Sequence, residues 1–127
     1  MESQKSNALY CKHCCNLLEF VQQNNPKVVC CGQEMTILKA NSTDAANEKH
    51  VPVIEDKGDF IQVTVGSVEH PMTPEHYIVF IEVLTENRVY RKELKPEDKP
   101  TAKFPIKRSE IVEVREFCNL HMLWKSE

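Results

Sequence analysis

Apolar and polar residues alternate with a period of two along much of this chain, and no stretch holds the 3.6-residue period of an amphipathic helix. In residues 60–65, Ile61, Val63 and Val65 fall on one face and Gln62 and Thr64 on the other. That pattern predicts a strand with one side on a core. Residues 77–84 are apolar on both faces, with Tyr77, Val79, Ile81 and Val83 on one and Ile78, Phe80 and Leu84 on the other. Such a strand belongs in the middle of a sheet or at a subunit interface. Glu86 and Asn87 suit a hairpin turn into residues 89–94. Pro96 and Pro100 then punctuate a loop, and residues 102–106 and 111–117 complete the set. Short strands at this turn spacing predict an antiparallel β-sandwich over residues 48–127.

The beginning of the chain reads differently. Residues 17–21 suggest one short strand, Asn24, Asn25 and Pro26 a turn, and Val28 and Val29 an approach to a second short element. Residues 1–38 hold too little apolar surface for a core of their own. Units below about 40 residues need a metal, disulfides or a partner chain to stay folded. The small polar residues of 39–47 read as a linker. An all-β protein is expected, with a small cysteine-organised unit at 1–38, a linker at 39–47 and a sandwich at 48–127.

Composition removes several function classes. The 127 residues are 41% hydrophobic and 28% charged, which is ordinary for a globular protein and not for a disordered one. The net charge is -3 and no Lys/Arg run occurs, so nothing points to nucleic acid. No segment reaches the roughly 20 apolar residues of a membrane span. The polar start from Met1 to Ser6 leads into no signal-peptide core, so a soluble, cytoplasmic protein is expected. That expectation matters for the cysteines. Five of the six (Cys11, Cys14, Cys15, Cys30 and Cys31) fall in 21 residues, with Cys118 far away. In a reducing compartment such a cluster reads as metal-binding before it reads as disulfides.

Cys11 and Cys14 form a C-x-x-C pair, and Cys30 and Cys31 are adjacent. Four thiolates can surround one tetrahedral metal, and thiolates alone do not distinguish zinc from iron. Adjacent ligands diverge, so Cys30 and Cys31 can share a metal only in a strained geometry. His13, inside the C-x-x-C loop, reads as solvent-facing. Cys15 stands where a glycine would relax the turn; a spare thiol, an alternative ligand and a packed residue all fit it, with packing preferred.

A second constellation gathers His50, His70, His76, Cys118 and His121. Pro71 biases His70 toward extended backbone. His76 sits at a loop-to-strand boundary, and Cys118 and His121 form a C-x-x-H pair right after the last predicted strand. Each histidine alone is more often an ordinary core or surface residue. Together, four imidazoles and one thiolate suit a redox-active iron with a sixth position left open.

These residues, in order, resemble the desulfoferrodoxin family of superoxide reductases. The resemblance is carried by C-x-x-C with Cys30 and Cys31, by the run Glu48, Lys49, His50, Val51, Pro52, Val53, by His70–Pro71–Met72 and by Cys118–Asn119–Leu120–His121. It implies a desulforedoxin-like first domain with a ferric iron on Cys11, Cys14, Cys30 and Cys31. It also implies an immunoglobulin-like sandwich whose second iron takes His50, His70, His76 and His121 in a plane and Cys118 as axial ligand. One-electron reduction of superoxide to hydrogen peroxide, rubredoxin as electron donor, and a homodimer follow from the same resemblance. So do the roles of Glu48, as a ligand of the resting ferric iron, and Lys49, as the cation that attracts superoxide. Cys15 departs from the glycine common at that position in the family, and Met122 and Leu123 depart from its usual small or polar residues. The competing classes are an electron-transfer or storage protein without an open metal position, and a zinc-stabilised interaction module.

Overall fold

The computed structural model describes residues 6–24, 27–42, 50–66 and 70–126. Among them lie twelve strands and one 3-10 turn, with no α-helix, so the chain is all-β as its two-residue periodicity predicts. By contact it divides into two compact units, Met1–Lys39 and Ala40–Glu127.

The first unit contains five short strands. β1 (Ala8–Tyr10) pairs antiparallel with both β2 (Leu17–Glu19) and β5 (Thr36–Ile37), and β3 (Val29–Cys30) pairs with β4 (Gln33–Glu34) as a tight hairpin. The apolar centre is small: Leu9, Cys11 and Met35 are buried, with Phe20, Val28 and Cys30 packed on them. Two of those six residues are cysteines, so the unit's core and its thiol cluster are one structure.

The second unit is a sandwich. One sheet has the order β10–β7–β6, from β6 (Pro52–Asp56), β7 (Ile61–Val65) and β10 (Thr101–Phe104). The other has the order β12–β11–β8–β9, from β8 (Ile78–Leu84), β9 (Val89–Glu93), β11 (Glu113–Cys118) and β12 (Met122–Lys125). Every pairing between these strands is antiparallel. Three strands over four is the layering of an immunoglobulin-like sandwich. Ile61, Val63 and Val65 of β7 meet Ile81 and Val83 of β8, Val114 and Cys118 of β11, and Ala102 and Phe104 of β10 in one buried cluster. The β6–β7 hairpin turns through Gly58 at φ +88°, a left-handed backbone that a side chain strains.

Two strands escape the alternation rule. β6 is half exposed and opens on Pro52, which an edge strand tolerates at its first residue. β12 is only four residues, Met-Leu-Trp-Lys, too short to show a period. Cys118 therefore does not follow the last strand: it is the final residue of β11, and β12 comes after it. The strand expected at 111–117 starts later, at Glu113, because a 3-10 turn at Arg108–Glu110 precedes it.

β8 is central, flanked by β11 and β9, and is buried on both faces within the chain itself. Its two-sided apolarity therefore calls for no partner subunit. Its face turned from the core cluster carries Glu82, fully buried, opposite Arg115 of β11, which is 3% exposed. Arg115 Nε donates to Glu82 Oε1 at 2.7 Å, its Nη2 donates to the same oxygen, and Arg91 Nη1 lies 3.7 Å from Oε2.

Removing one partner of a buried ion pair costs about 3–5 kcal/mol, because the other charge stays buried without its counterpart. Arg115→Ala is expected to lower the stability of the second unit by about 3 kcal/mol, with Arg91 retaining part of the Glu82 interaction. Trp124, the chain's one tryptophan, lies in this unit, so its fluorescence during chemical denaturation reads the change. A midpoint equal to the parent's would show that Glu82 is held by other groups.

Candidate metal centres

The first cluster is built on two turns. Cys11 follows β1 directly and its chain folds back at once: Cys11 N–H donates to Asn16 O at 2.9 Å and Cys15 N–H to Cys11 O at 2.8 Å. This presents Cys14 beside Cys11, and the Cys14 N–H points at Cys11 Sγ at 3.5 Å. The second turn is the β3–β4 hairpin, with Cys31 and Gly32 at its tip, both left-handed at φ +53° and +72°. That backbone turns the two adjacent cysteines toward one point, the strained solution that neighbouring ligands require. Cys14 Sγ lies 3.6 Å from Cys30 Sγ, Cys30 Sγ lies 4.0 Å from Cys31 Sγ, and Asn16 Nδ2 donates to Cys30 Sγ at 3.5 Å. The four sulfurs of Cys11, Cys14, Cys30 and Cys31 all lie within 4.8 Å of one another.

Their electrostatics ask for a cation. The backbone N–H groups of Cys14 and His13 pull the Cys11 thiol down to about 6. The neighbouring thiols, Cys14 first, push Cys31 up to about 12 and Cys30 upward as well. Backbone dipoles thus favour a thiolate at Cys11, while the neighbouring thiols disfavour one at Cys30 and Cys31; a bound cation offsets that conflict. All six cysteines of the chain are thiols and none is in a disulfide.

Cys15 corrects the packed reading. It is exposed, at φ +69°, and its thiol hydrogen-bonds the Tyr10 side chain, the chief cause that pushes that phenol up to about 12. His13 is exposed, as expected.

The second cluster forms at one end of the sandwich. His50 lies two residues before β6 and His70 in the stretch between β7 and β8; both are 3% exposed. His76 is held just before β8 by a bridge to Thr73: Thr73 N–H donates to His76 O at 2.9 Å, His76 N–H to Thr73 O at 3.1 Å and to its Oγ1 at 3.2 Å. Cys118 ends β11 at a register shift, where Phe117 pairs with Phe80 but Cys118 pairs with Ile78. It is fully buried in the core cluster, whereas His121, in the following turn, is exposed.

The four rings form a square. Successive centroids are 4.7 Å apart from His50 to His70, 4.7 Å from His70 to His76, 5.2 Å from His76 to His121 and 4.7 Å from His121 to His50. Neighbouring planes are steeply inclined, at 65° to 84°. The His50–His76 diagonal is 6.5 Å. Half of it matches the reach of an imidazole bound to a central ion, about 2.1 Å of metal–nitrogen bond plus roughly 1.1 Å to the ring centre. Donor atoms of His50, His76, Cys118 and His121 lie within 4.8 Å of one another, with Cys118 Sγ 3.8 Å from His121 Nδ1. His70 enters through its ring contacts. Its Nδ1 lies 2.7 Å from Pro71 O. A carbonyl only accepts, so Nδ1 is the protonated nitrogen and Nε2 is left for a metal.

Glu48 and Lys49 lie outside the described residues. Two residues that the sequence did not single out hold the square. Trp124 of β12 stacks on His50 at 4.7 Å and 16°, and its Nε1 donates to His121 O at 2.9 Å. Asn119 bonds to the backbone on both sides of His76. The missed strand β12 hid the first; the second is legible only once Glu75 and Tyr77 are known to lie beside it.

The family model described as Desulfoferrodoxin matches residues 42–127. A desulfoferrodoxin of Syntrophotalea carbinolica is 46% identical over 98% of this chain and 98% of its own. A superoxide reductase of Pyrococcus horikoshii is 35% identical over 68% of this chain and 90% of its own. The crystal structure of the superoxide reductase from Treponema pallidum superposes with a TM-score of 0.80 at 30% identity, over 98% of this chain and all of that one.

Cys15 stands outside the four-sulfur set and strains its backbone, since a non-glycine residue in the left-handed region costs about 1 kcal/mol. Cys15→Gly is expected to keep the metal-bound absorption of the first cluster, to be no less stable than the parent and to remove one fast-reacting thiol. Alkylation counting and absorption of the loaded protein check this; loss of the absorption would make Cys15 a ligand.

Proposed function

The chain belongs to the desulfoferrodoxin family, and from that premise we propose that it is a superoxide reductase carrying out one-electron reduction of superoxide to hydrogen peroxide at a His4Cys iron, with a second iron on four cysteines. The square of His50, His70, His76 and His121 over the buried Cys118 carries the proposal. Four neutral imidazoles and one thiolate make a five-donor set, and five donors leave one octahedral position for a substrate. When bound there, iron supplies the single electron, and the overall balance is superoxide plus one electron plus two protons giving hydrogen peroxide.

The residues around it have separable tasks. Cys118 approaches from the core, where no water competes for its sulfur, so its charge is directed at the metal. The exposed His121 marks the edge where solvent reaches the site. Pro71 O holds His70 in one tautomer. In the same reading Lys49 would attract the anion and Glu48 would be a ligand to the ferric iron. The protein's net charge of -3 disfavours an anionic substrate at long range, so a local cation must reverse the field.

The four thiols of the first cluster would hold the other iron with every tetrahedral position filled. Rubredoxin as donor, a homodimer and a cytoplasmic location complete the proposal.

Iron analysis combined with a superoxide-consumption assay that follows peroxide tests the reading. Two irons per chain and one peroxide per superoxide consumed are expected; dismutation stoichiometry, or zinc at both sites, rules it out. Cys118→Ser is expected to abolish turnover while the absorption of the four-cysteine iron survives, because its neutral oxygen replaces the strongest charge donor. Near-normal turnover in that variant would remove Cys118 from the ligand set. One ammonium about 4 Å from superoxide is worth roughly 4 kcal/mol at an effective dielectric near 20, before desolvation. Lys49→Ala is therefore expected to slow the bimolecular step at least about tenfold, a loss of only about 1.4 kcal/mol, with both iron spectra intact. Pulse radiolysis measures it, and an unchanged rate would assign the steering to another cation.

A further inference from the structure

The backbone on both sides of His76 is tied to a single side chain. Asn119 Oδ1 accepts from the Tyr77 N–H at 2.9 Å, Asn119 Nδ2 donates to Glu75 O at 3.0 Å, and the Asn119 backbone N–H donates to Tyr77 O at 3.2 Å. The amide orientation is fixed by its partners, since an N–H can only donate and a carbonyl can only accept.

We infer that Asn119 is a positioning residue for the second metal centre: its amide locks the His76 loop to the Cys118–His121 turn, so that His76, Cys118 and His121 are set in register before a metal arrives. β8 and β11 pair regularly up to Phe117 and Phe80, then skip, so that Cys118 pairs with Ile78. The shift interrupts the regular ladder at the residues that must present donors, and beyond it the Asn119 N–H still reaches Tyr77 O. The Asn119 side chain adds one acceptor and one donor to that backbone link. Only an amide on a short stem fits. Aspartate supplies acceptors alone and would face the Glu75 carbonyl with another oxygen. Glutamine is a methylene longer, and serine reaches one partner at most. Thr73 fixes the other side of the same loop through its bridge to His76, so the imidazole is held between two anchors. Partners that orient metal ligands typically change metal affinity 10–100-fold when removed.

The inference rests on the metal-centre reading, and cobalt(II) separates the two without any superoxide assay. In the full chain, bound cobalt at the second cluster should quench Trp124, which stacks on His50 and is the sole tryptophan. If the parent shows no such quenching and no thiolate-to-cobalt absorption lost in Cys118→Ser, the metal-centre reading itself fails. Given a parent that binds, Asn119→Ala should release cobalt to a chelator about 10–100-fold faster and alter the cobalt ligand-field spectrum. The signal of the four-cysteine site should stay unchanged. Asn119→Asp, which keeps the acceptor for the Tyr77 N–H, should fall between Ala and the parent. Release within twofold of the parent overturns the inference. Faster release with an unaltered spectrum also overturns it, since that outcome makes Asn119 a stabiliser of the loop and not a positioner of His76.

Discussion

The second site depends on one constraint: five donors from three distant stretches of chain must meet at one end of a sandwich, and the β8–β11 pairing brings them there. Cys118 reaches the cluster because it lies on the face of β11 that Val114 also turns to the core. It is fully buried there, while the next turn carries His121 out to solvent. His76 arrives on the residues leading into β8, the strand on which β11 slips. His50 arrives at the start of β6 in the opposite sheet. Misplacing the β8–β11 register by one residue would turn Cys118 to the other face, and no loop adjustment could restore it.

The two sites solve the problem of clustered donors differently. Imidazoles are neutral, so four of them can be gathered beforehand at the cost of burial alone, and hydrogen bonds such as that from His70 to Pro71 O meet part of it. Thiolates are charged, and four of them cannot be gathered in advance. The opposed shifts of Cys11, downward, and Cys31, upward, express that conflict. The first unit, whose core is Leu9, Met35 and cysteine, has little else to hold it and should be the more metal-dependent in folding. The sandwich, with a core drawn from four strands and its own buried ion pair, should stand without metal.

What the sequence disclosed follows the same physics. Ile61, Val63 and Val65 alternate because one face of β7 is buried, and β8 is apolar throughout because both its faces are; those strands were legible. β6 and β12 were not, because an edge strand half in water and a four-residue strand carry no period. The donor residues were legible because cysteine and histidine are rare and their spacings constrain metal geometry. Trp124 and Asn119 were not, because their importance lies in which backbone groups they meet, and those belong to His121, Glu75 and Tyr77, up to 44 residues away. Cys15 was misread for a related reason. A thiol next to a ligand suggests packing, but the left-handed turn at that position aims the side chain outward.

The positions that support the square share a property. Each supports a donor without being one, and each makes a main-chain contact: Pro71 O fixes a tautomer, Thr73 and Asn119 fix a loop, Trp124 fixes a turn. A ligand can be moved to another scaffold as a residue type, but a main-chain contact holds only in its own register. The support is also uneven: His50 is buried under a stacked indole, while His121 is exposed and held at its carbonyl.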